Sequence, residues 1–237
     1  MNSADMNSAV RAIFPAIACD VELDRGMGRA DNRCMNKDHR RFSPATARNR
    51  DLILGVLQRR LPRRGLVLEI ASGSGEHVTH FACASDPGLV FQPSDPDAAA
   101  RASIDAWIAA LSPPNVRPAI ALDASSSDWP IAQADTVLCI NMIHISPWPA
   151  TVGLMSGAAR VLPADGLLYV YGPFRRDGRH TAASNERFDA ELRQQNPEWG
   201  VRDIEAVINL AAARGFGPPM IEAMPANNLS LSFWRGA

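Results

Sequence analysis

A glycine-rich turn lies between an apolar run and a helical pattern in the sequence LEIASGSGEHVTHFA, from Leu68 to Ala82. The run LVLEIA that enters the turn has the length and composition of a buried strand, and the residues after the turn are predicted to form a helix. Glycines at such a corner allow a tight turn and a close approach of the backbone to a ligand. The corner therefore favours folds in which parallel strands alternate with helices around a nucleotide-type cofactor.

Strand and helix patterns continue to alternate along the rest of the chain. Two apolar runs near its end, PMIEAMP and LSLSFWR, flank the turn signal ANN, which is typical of a hairpin. We predict an α/β fold with a doubly wound, seven-stranded, mostly parallel sheet and a C-terminal antiparallel β-hairpin. Further strands are predicted at 89–95, 117–123 and 166–174, and the segment 134–146 is predicted to be a strand that runs into a loop. Helices are predicted at 43–61, 97–111, 150–162 and 203–215.

Length and charge predict one globular domain over residues 42–237, preceded by a flexible extension over residues 1–41. The chain has 237 residues and a net charge of −1, which gives no electrostatic reason to expect a nucleic acid or an anionic membrane as partner. The apolar stretch near the N-terminus is interrupted by Arg11 and Pro15, so we expect a cytoplasmic protein rather than a secreted one. Its four cysteines lack C-x-x-C spacing, which predicts neither a metal site nor a disulfide framework.

Polar residues follow four of the predicted strands at their carboxyl ends. The turn SGSG follows the first strand, Asp95 and Asp123 end the second and third, and Asn141 ends the fourth. Ligands of open α/β sheets bind outside these ends, where the strand order reverses. These polar features are therefore expected to meet in one crevice.

Two cofactors are compatible with this crevice: a dinucleotide of the NAD type and S-adenosylmethionine. A dinucleotide site requires G-x-G-x-x-G/A; Gly73 and Gly75 supply the first two glycines, but Val78 occupies the third position. Asp95 follows Gly75 by 20 residues and suits the ribose of either cofactor. Glu69 favours S-adenosylmethionine (SAM), because an acid inside a buried strand requires a cation, and SAM carries an ammonium group.

The predicted SAM contacts have simpler structural interpretations as well. The glycines could serve the turn alone, Asp95 and Asp123 could cap turns or helices, and Glu69 could lie on a frayed strand. One ligand explains all of these positions together, with Asp123 at the adenine amine and the Ala124 N–H at a ring nitrogen. The predicted cofactor-binding residues are Glu69, Ala71, Gly73, Ser74, Gly75, Asp95, Asp123, Ala124 and Asn141.

Several long blocks of the sequence occur in the order found in one family. They include ARNRDLILGVL, LEIASGSGEHVTHFA, FQPSDPD, CINMIHISP, SNERFDAELR, NPEWGVRD and MPANNLSLSFWR. From Phe42 to Arg235 the chain resembles domain of unknown function 938, also called the methyltransferase-like 26 family. The resemblance implies the Rossmann-like class I methyltransferase fold, with six parallel strands and one reversed strand, and SAM as cofactor. It does not imply a substrate. Ala47 and Leu52 depart from the family, whose members usually carry an acid and often a proline there.

His144, in the segment NMIHIS after the fourth strand, is the predicted catalytic base. Its ordinary pKa near 6.5 suits proton uptake close to neutrality. The alternative is a structural histidine that bonds to a backbone carbonyl. Asn141 is assigned to the cofactor or to orienting the loop, by analogy with the residue that ends this strand in related enzymes.

The polar segment Arg175–Gly200, which we call the cover, is predicted to close over the substrate. Its aromatic residues and the turn NPEWG are poorly explained by a solvated connector. Core packing is the alternative role for Tyr171 and Phe174. An ordinary first turn of a helix is the alternative for Asn49 and Arg50. The predicted substrate-binding residues are Asn49, Arg50, Tyr171, Asn185 and Trp199, with Phe174 also considered.

The sequence thus predicts a SAM-dependent methyltransferase with a small-molecule acceptor. Two alternatives stay open: an NAD-type oxidoreductase on the same sheet, and a SAM-binding protein without catalysis. A near-neutral surface and a short cover argue against a nucleic acid substrate.

Overall fold

The computed structural model of the chain describes residues 38–236. Residues 1–37 of the predicted extension therefore lie outside the described residues, and residues 38–41 are described. Its last residues contact a helix, because the Trp107 indole donates to the Arg41 carbonyl at 2.9 Å. The helices are α1 Pro44–Leu57, α2 Glu76–Cys83, α3 Ala98–Leu111, α4 Trp148–Val161, α5 Ala183–Gln195 and α6 Ile204–Ala212. The strands are β1 Gly65–Ile70, β2 Leu89–Pro93, β3 Thr136–Ile140, β4 Leu167–Arg176, β5 Arg179–His180, β6 Arg202–Asp203, β7 Met220–Met224 and β8 Asn228–Trp234.

The strands form one sheet in the order β2-β1-β3-β4-β8-β7, with β5 and β6 paired to an extension of β4. Strands β2, β1, β3 and β4 are parallel, and β8 is antiparallel to both β4 and β7. The predicted mostly parallel sheet and its C-terminal hairpin are confirmed. The hairpin turns through Ala226 and Asn227, which both have positive φ.

The strand predicted at 117–123 is not a continuous ladder. It forms isolated parallel bridges beside β2, at Phe91 with Val116 and at Ser94 with Ile120. Pro118 has no N–H to donate, and the Ala119 N–H donates instead to the Asp105 side chain at 2.9 Å. With this segment counted and the two-residue strands β5 and β6 left aside, six strands run in one direction and β8 runs in the other.

Helices cover both faces of the sheet, as a doubly wound fold requires. On one face α1, α2 and α3 contribute a cluster of buried side chains that includes Ile53, Phe81 and Ile104. On the other face α4 and α6 contribute a second cluster, with Leu154 and Val207 fully buried. The two clusters fix the sheet between helices and hold the carboxyl ends of its strands at one edge.

The cover contains a helix that the sequence did not predict. Of the 13 residues of α5, the buried ones are Asn185, Asp189 and Leu192. They share one helical face, but two of them are polar, so the helix has no apolar periodicity to recognise. Within residues 38–236, no helix has both the length and the apolar character that crossing a membrane requires.

Candidate cofactor and acceptor site

The glycine-rich corner between β1 and α2 has a left-handed backbone, a conformation that favours glycine. Ala71, Gly73 and Gly75 have φ values of 54°, 57° and 91°. A Cβ on Gly75 would lie 2.7 Å from the Cα of Ile104, so glycine here allows α3 to pack against the corner. The corner thus combines three left-handed residues within five positions, directly after β1.

Glu69 lies on β1 immediately before this corner and is only 2% exposed. Its Oε2 is buried and has no hydrogen-bond partner among the described residues. Burial raises the pKa of Glu69 to about 8, partly offset by the Ser72 hydroxyl, while the nearby Asp95 raises it further. A buried carboxyl with an unpartnered oxygen fits a cationic ligand group, which is the fit that the SAM ammonium requires.

We expect Glu69 to lower the stability of the ligand-free protein as pH rises. Because its pKa is higher folded than unfolded, the folded state retains a proton between about pH 4.5 and pH 8 that the unfolded state releases. The free energy of unfolding of the wild type, relative to Glu69→Gln, should fall across this window by on the order of a few kcal/mol. Urea unfolding of both proteins at pH 5 to 8.5 measures this difference, and a difference independent of pH would contradict the assignment.

Asp95 joins the end of β2 to the corner. Its Oδ2 accepts the Gly73 N–H at 3.0 Å, and its Oδ1 accepts the Asp97 N–H at 2.9 Å. Burial raises the pKa of Asp95 to about 6. The side chain therefore serves as a turn cap, the simpler interpretation of this acid, and each of its oxygens retains a second lone pair for a ligand.

The remaining predicted cofactor residues lie at the neighbouring strand ends. Asp123 is exposed and accepts from the backbone and the hydroxyl of Ser125 at 2.8 and 2.7 Å, so it also caps a turn. Ala124 is buried. The Ser74 hydroxyl donates to the Glu76 carboxylate at 2.9 Å.

Asn141 follows β3 with a φ of 59°, and its N–H donates to the Tyr171 carbonyl on β4 at 2.9 Å. This bond ties the start of the loop that carries His144 to the neighbouring strand.

His144 is 3% exposed and lies between a strand and the cover. Its ring makes an edge-on contact with Phe188 of α5, with centroids 5.6 Å apart, and a Cβ on Gly172 of β4 would be 3.1 Å from its Nδ1. The buried Nδ1 has no hydrogen-bond partner among the described residues, so the expected alternative of a bond to a carbonyl is not seen at this atom. Burial lowers the pKa of His144 to about 3, which keeps the imidazole neutral at pH 7.

A buried polar network lies beside this site and includes a residue that sequence reasoning missed. The Asn49 Oδ1 and the His77 Nε2 are 2.9 Å apart, and the Tyr171 hydroxyl interacts with the side chains of Asn49 and Asn228. His77 stacks on Phe81, and burial lowers its pKa to about 3. The network joins α1, α2, β4 and β8. The signal for His77 was its spacing, one helical turn before the buried Phe81.

Arg50, the neighbour of Asn49 on α1, does not join this network. Its Nε is buried and has no hydrogen-bond partner among residues 38–236. The side chain lines a cleft of about 240 Å³ between α1, α2 and α3, together with Glu76, Thr79, His80, Cys83, Trp107 and Leu111.

The two predicted contacts from the cover are buried in this structure. The Asn185 amide donates to the Thr181 hydroxyl at 3.2 Å and to the Asn227 carbonyl at 3.0 Å, which ties α5 to the hairpin turn. Trp199 is fully buried, and its indole nitrogen has no hydrogen-bond partner in the described part of the chain. Phe174 is a fully buried core residue. A direct role of these residues at the acceptor stays a prediction.

Comparison with solved structures identifies the fold. An O-methyltransferase family protein from Burkholderia thailandensis is 17% identical, with a TM-score of 0.70 over 81% of this chain and 58% of the other. Human N-acetylserotonin methyltransferase in complex with SAM is 14% identical, with a TM-score of 0.66 over 81% and 53%. CalO1, a methyltransferase in calicheamicin biosynthesis in its SAH-bound form, is 18% identical, with a TM-score of 0.63 over 81% and 55%.

This chain therefore shares the Rossmann-like class I fold of SAM-dependent methyltransferases, although it spans little more than half the length of these relatives. One family model, described as a protein of unknown function (DUF938), matches residues 40–235. That match covers most of the sequence, from just before α1 to the end of β8. The chain belongs to the DUF938 family.

Proposed function

We propose that this protein is a SAM-dependent methyltransferase that acts on a small-molecule acceptor. The observation that carries the proposal is the pair of buried carboxyls at the corner. Glu69 has an unpartnered oxygen on one strand, and Asp95 reaches the Gly73 N–H from the next. The fold neighbours that carry SAM or SAH support the cofactor.

In this proposal each strand end recognises a different part of the cofactor. Glu69 binds the ammonium group, Asp95 binds the ribose hydroxyls, and Asp123 with Ala124 binds the adenine. SAM supplies an electrophilic methyl group. The fully buried Val78 argues against a dinucleotide, because it fills the position where that fingerprint places a small residue.

The chain's own residues then orient the acceptor and exclude water. The neutral His144 accepts a hydrogen bond from the acceptor or takes up its proton, while Tyr171, Asn49 and the cover surround it. A buried imidazole whose pKa lies near 3 is a weak base, so most of the rate enhancement should come from positioning. This chemistry suits acceptors that lose a proton readily.

Two measurements test the proposal. Calorimetry should show heat with SAM and little with NADH; tight NADH binding without SAM heat would overturn the cofactor assignment. Incubation with SAM and a cell metabolite extract should produce S-adenosylhomocysteine and a product heavier by one methylene. SAM binding without turnover on any acceptor would instead indicate a non-catalytic SAM-binding protein.

His144→Ala should lower turnover by about 10- to 100-fold, because it removes the group that accepts a hydrogen bond or a proton from the acceptor. The affinity for SAM should stay within about twofold, since His144 lies on the acceptor side. Steady-state kinetics with the acceptor found in the extract measure both quantities. Full activity in this variant would remove His144 from the reaction.

A further inference from the structure

Arg202 follows the cover and holds the loop that carries His144. Its Nε donates to the Ile143 carbonyl at 3.0 Å, and its Nη2 donates to the Ser146 carbonyl at 2.6 Å. These two carbonyls lie on either side of His144. One planar guanidinium thus fixes both ends of the short segment that positions the imidazole.

The same guanidinium also holds the end of the cover. Its Nη2 donates to the Glu198 carbonyl at 2.9 Å, and the Gly200 N–H donates to the His144 carbonyl at 3.0 Å. The cover and the His144 loop therefore bind the same Arg202 guanidinium and are also joined by one direct backbone hydrogen bond. Movement of either segment would break hydrogen bonds of the other.

Asp189 of α5 connects the helix of the cover to this same turn. Its Oδ1 accepts the Val201 N–H at 2.6 Å, and its Oδ2 accepts the Arg193 Nε at 2.9 Å. Gly200 has a φ of 148°, and a Cβ there would lie 2.7 Å from the Asp189 Oδ1. Phe188, the neighbour of Asp189, contacts the His144 ring. The helix thus reaches His144 both through this turn and directly.

Arg202 itself is fixed to the sheet. It lies on β6, where Arg202 pairs with Phe174 and Asp203 pairs with Arg175 of β4. The Arg175 guanidinium also binds the Asp203 carboxylate at 2.7 Å. The connection between cover and loop therefore starts from a residue that is paired with the sheet.

We propose that Arg202 is a positioning residue that couples the cover to the His144 loop, so that the cover orders over the acceptor and the imidazole is oriented in one step. The catalytic part of this inference rests on the proposed methyltransferase function, whereas the coupling itself does not. Arg202 contacts no reacting atom in this proposal. It acts through the backbone on both sides of His144.

The test compares Arg202→Gln, which removes the guanidinium N–H donors and the charge, with Arg202→Lys, which keeps the charge. Arg214→Gln is the matched control, because Arg214 is also half-buried, lies just after α6 and donates to the Ser156 hydroxyl on α4 at 2.9 Å. Amide hydrogen exchange is followed at residues 142–146 and 183–200, with and without SAM. Turnover, the KM of the acceptor and the Kd of SAM are measured on the same samples.

In Arg202→Gln, exchange should accelerate about tenfold in both segments together, turnover should fall about tenfold, and the Kd of SAM should stay within twofold. Arg202→Lys should recover part of both effects, and Arg214→Gln should change neither. If Arg202→Gln does not fold, Arg202→Lys against the control carries the test. Acceleration in one segment alone, wild-type exchange in both variants, or full turnover with both segments loosened would overturn the proposal.

If the wild type transfers no methyl group to any acceptor, the proposed function fails while exchange alone still decides the coupling. Joint acceleration then supports the connection between cover and loop. Independent exchange of the two segments rejects it.

Discussion

Asp95→Ala is expected to weaken SAM binding by about 100-fold or more. In the proposed site the Asp95 carboxylate binds two ribose hydroxyls, and hydrogen bonds to a charged group contribute about 1.5–3 kcal/mol each. The variant also loses the hydrogen bonds that the Asp95 carboxylate accepts from the backbone of Gly73 and Asp97, so the corner loses part of its support. Titration calorimetry at pH 7.5, where the wild-type carboxyl is ionised, measures the loss.

The pH dependence of the affinity provides an independent check of the same assignment. Because the pKa of Asp95 is raised to about 6, its carboxylate becomes protonated as pH falls through that value. The affinity of the wild type for SAM should therefore fall between pH 7 and pH 5, and the affinity of Asp95→Asn should be lower and depend less on pH. Asp86→Asn is the control, since Asp86 is exposed before β2 and accepts the Gly88 N–H at 2.9 Å. An Asp95→Ala variant that folds and binds SAM like the wild type would reject the assigned role.

Local patterns were sufficient to predict the main strands of the sheet and the glycine-rich corner after β1. The turn SGSG, the acid at position 69 and the acids after the next two strands are each visible within a few residues of sequence. Parallel topology then determines that they meet at one edge. The ladder between β1 and β2 places Glu69 opposite Pro93, two residues before Asp95.

Features that depend on distant contacts could not be predicted in this way. The helix α5 buries two polar side chains whose partners lie outside the helix: Asp189 accepts the Val201 N–H, 12 residues away, and Asn185 donates to the Asn227 carbonyl, 42 residues away. The pKa of His144 depends on burial between β4 and the cover, which are separate in sequence. The sequence around His144, NMIHIS, contains no residue of β4 or of the cover. It therefore predicts the ordinary pKa of a histidine.

The aromatic residue of NPEWG has a structural interpretation as well as a functional one. Trp199 was predicted to contact the substrate, because a solvated connector has little need of a tryptophan. In the structure it is fully buried, as are Leu192 and Val201 in and after the cover. These three side chains belong to neither of the two clusters that flank the sheet.

Trp199→Ala should therefore lower the free energy of unfolding by about 3–5 kcal/mol, the range for truncating a buried large aromatic side chain. Trp199→Phe should cost less, since it keeps much of the volume and removes an indole N–H that has no partner among the described residues. Urea unfolding measures both variants, with Leu111→Ala, at a position 48% exposed, expected to stay within about 0.5 kcal/mol of the wild type. If Trp199→Ala were equally neutral while the KM of the acceptor rose, Trp199 would be a substrate contact on a mobile surface. A large loss of stability that Trp199→Phe largely restores would instead assign it to the packing that keeps the cover folded against His144.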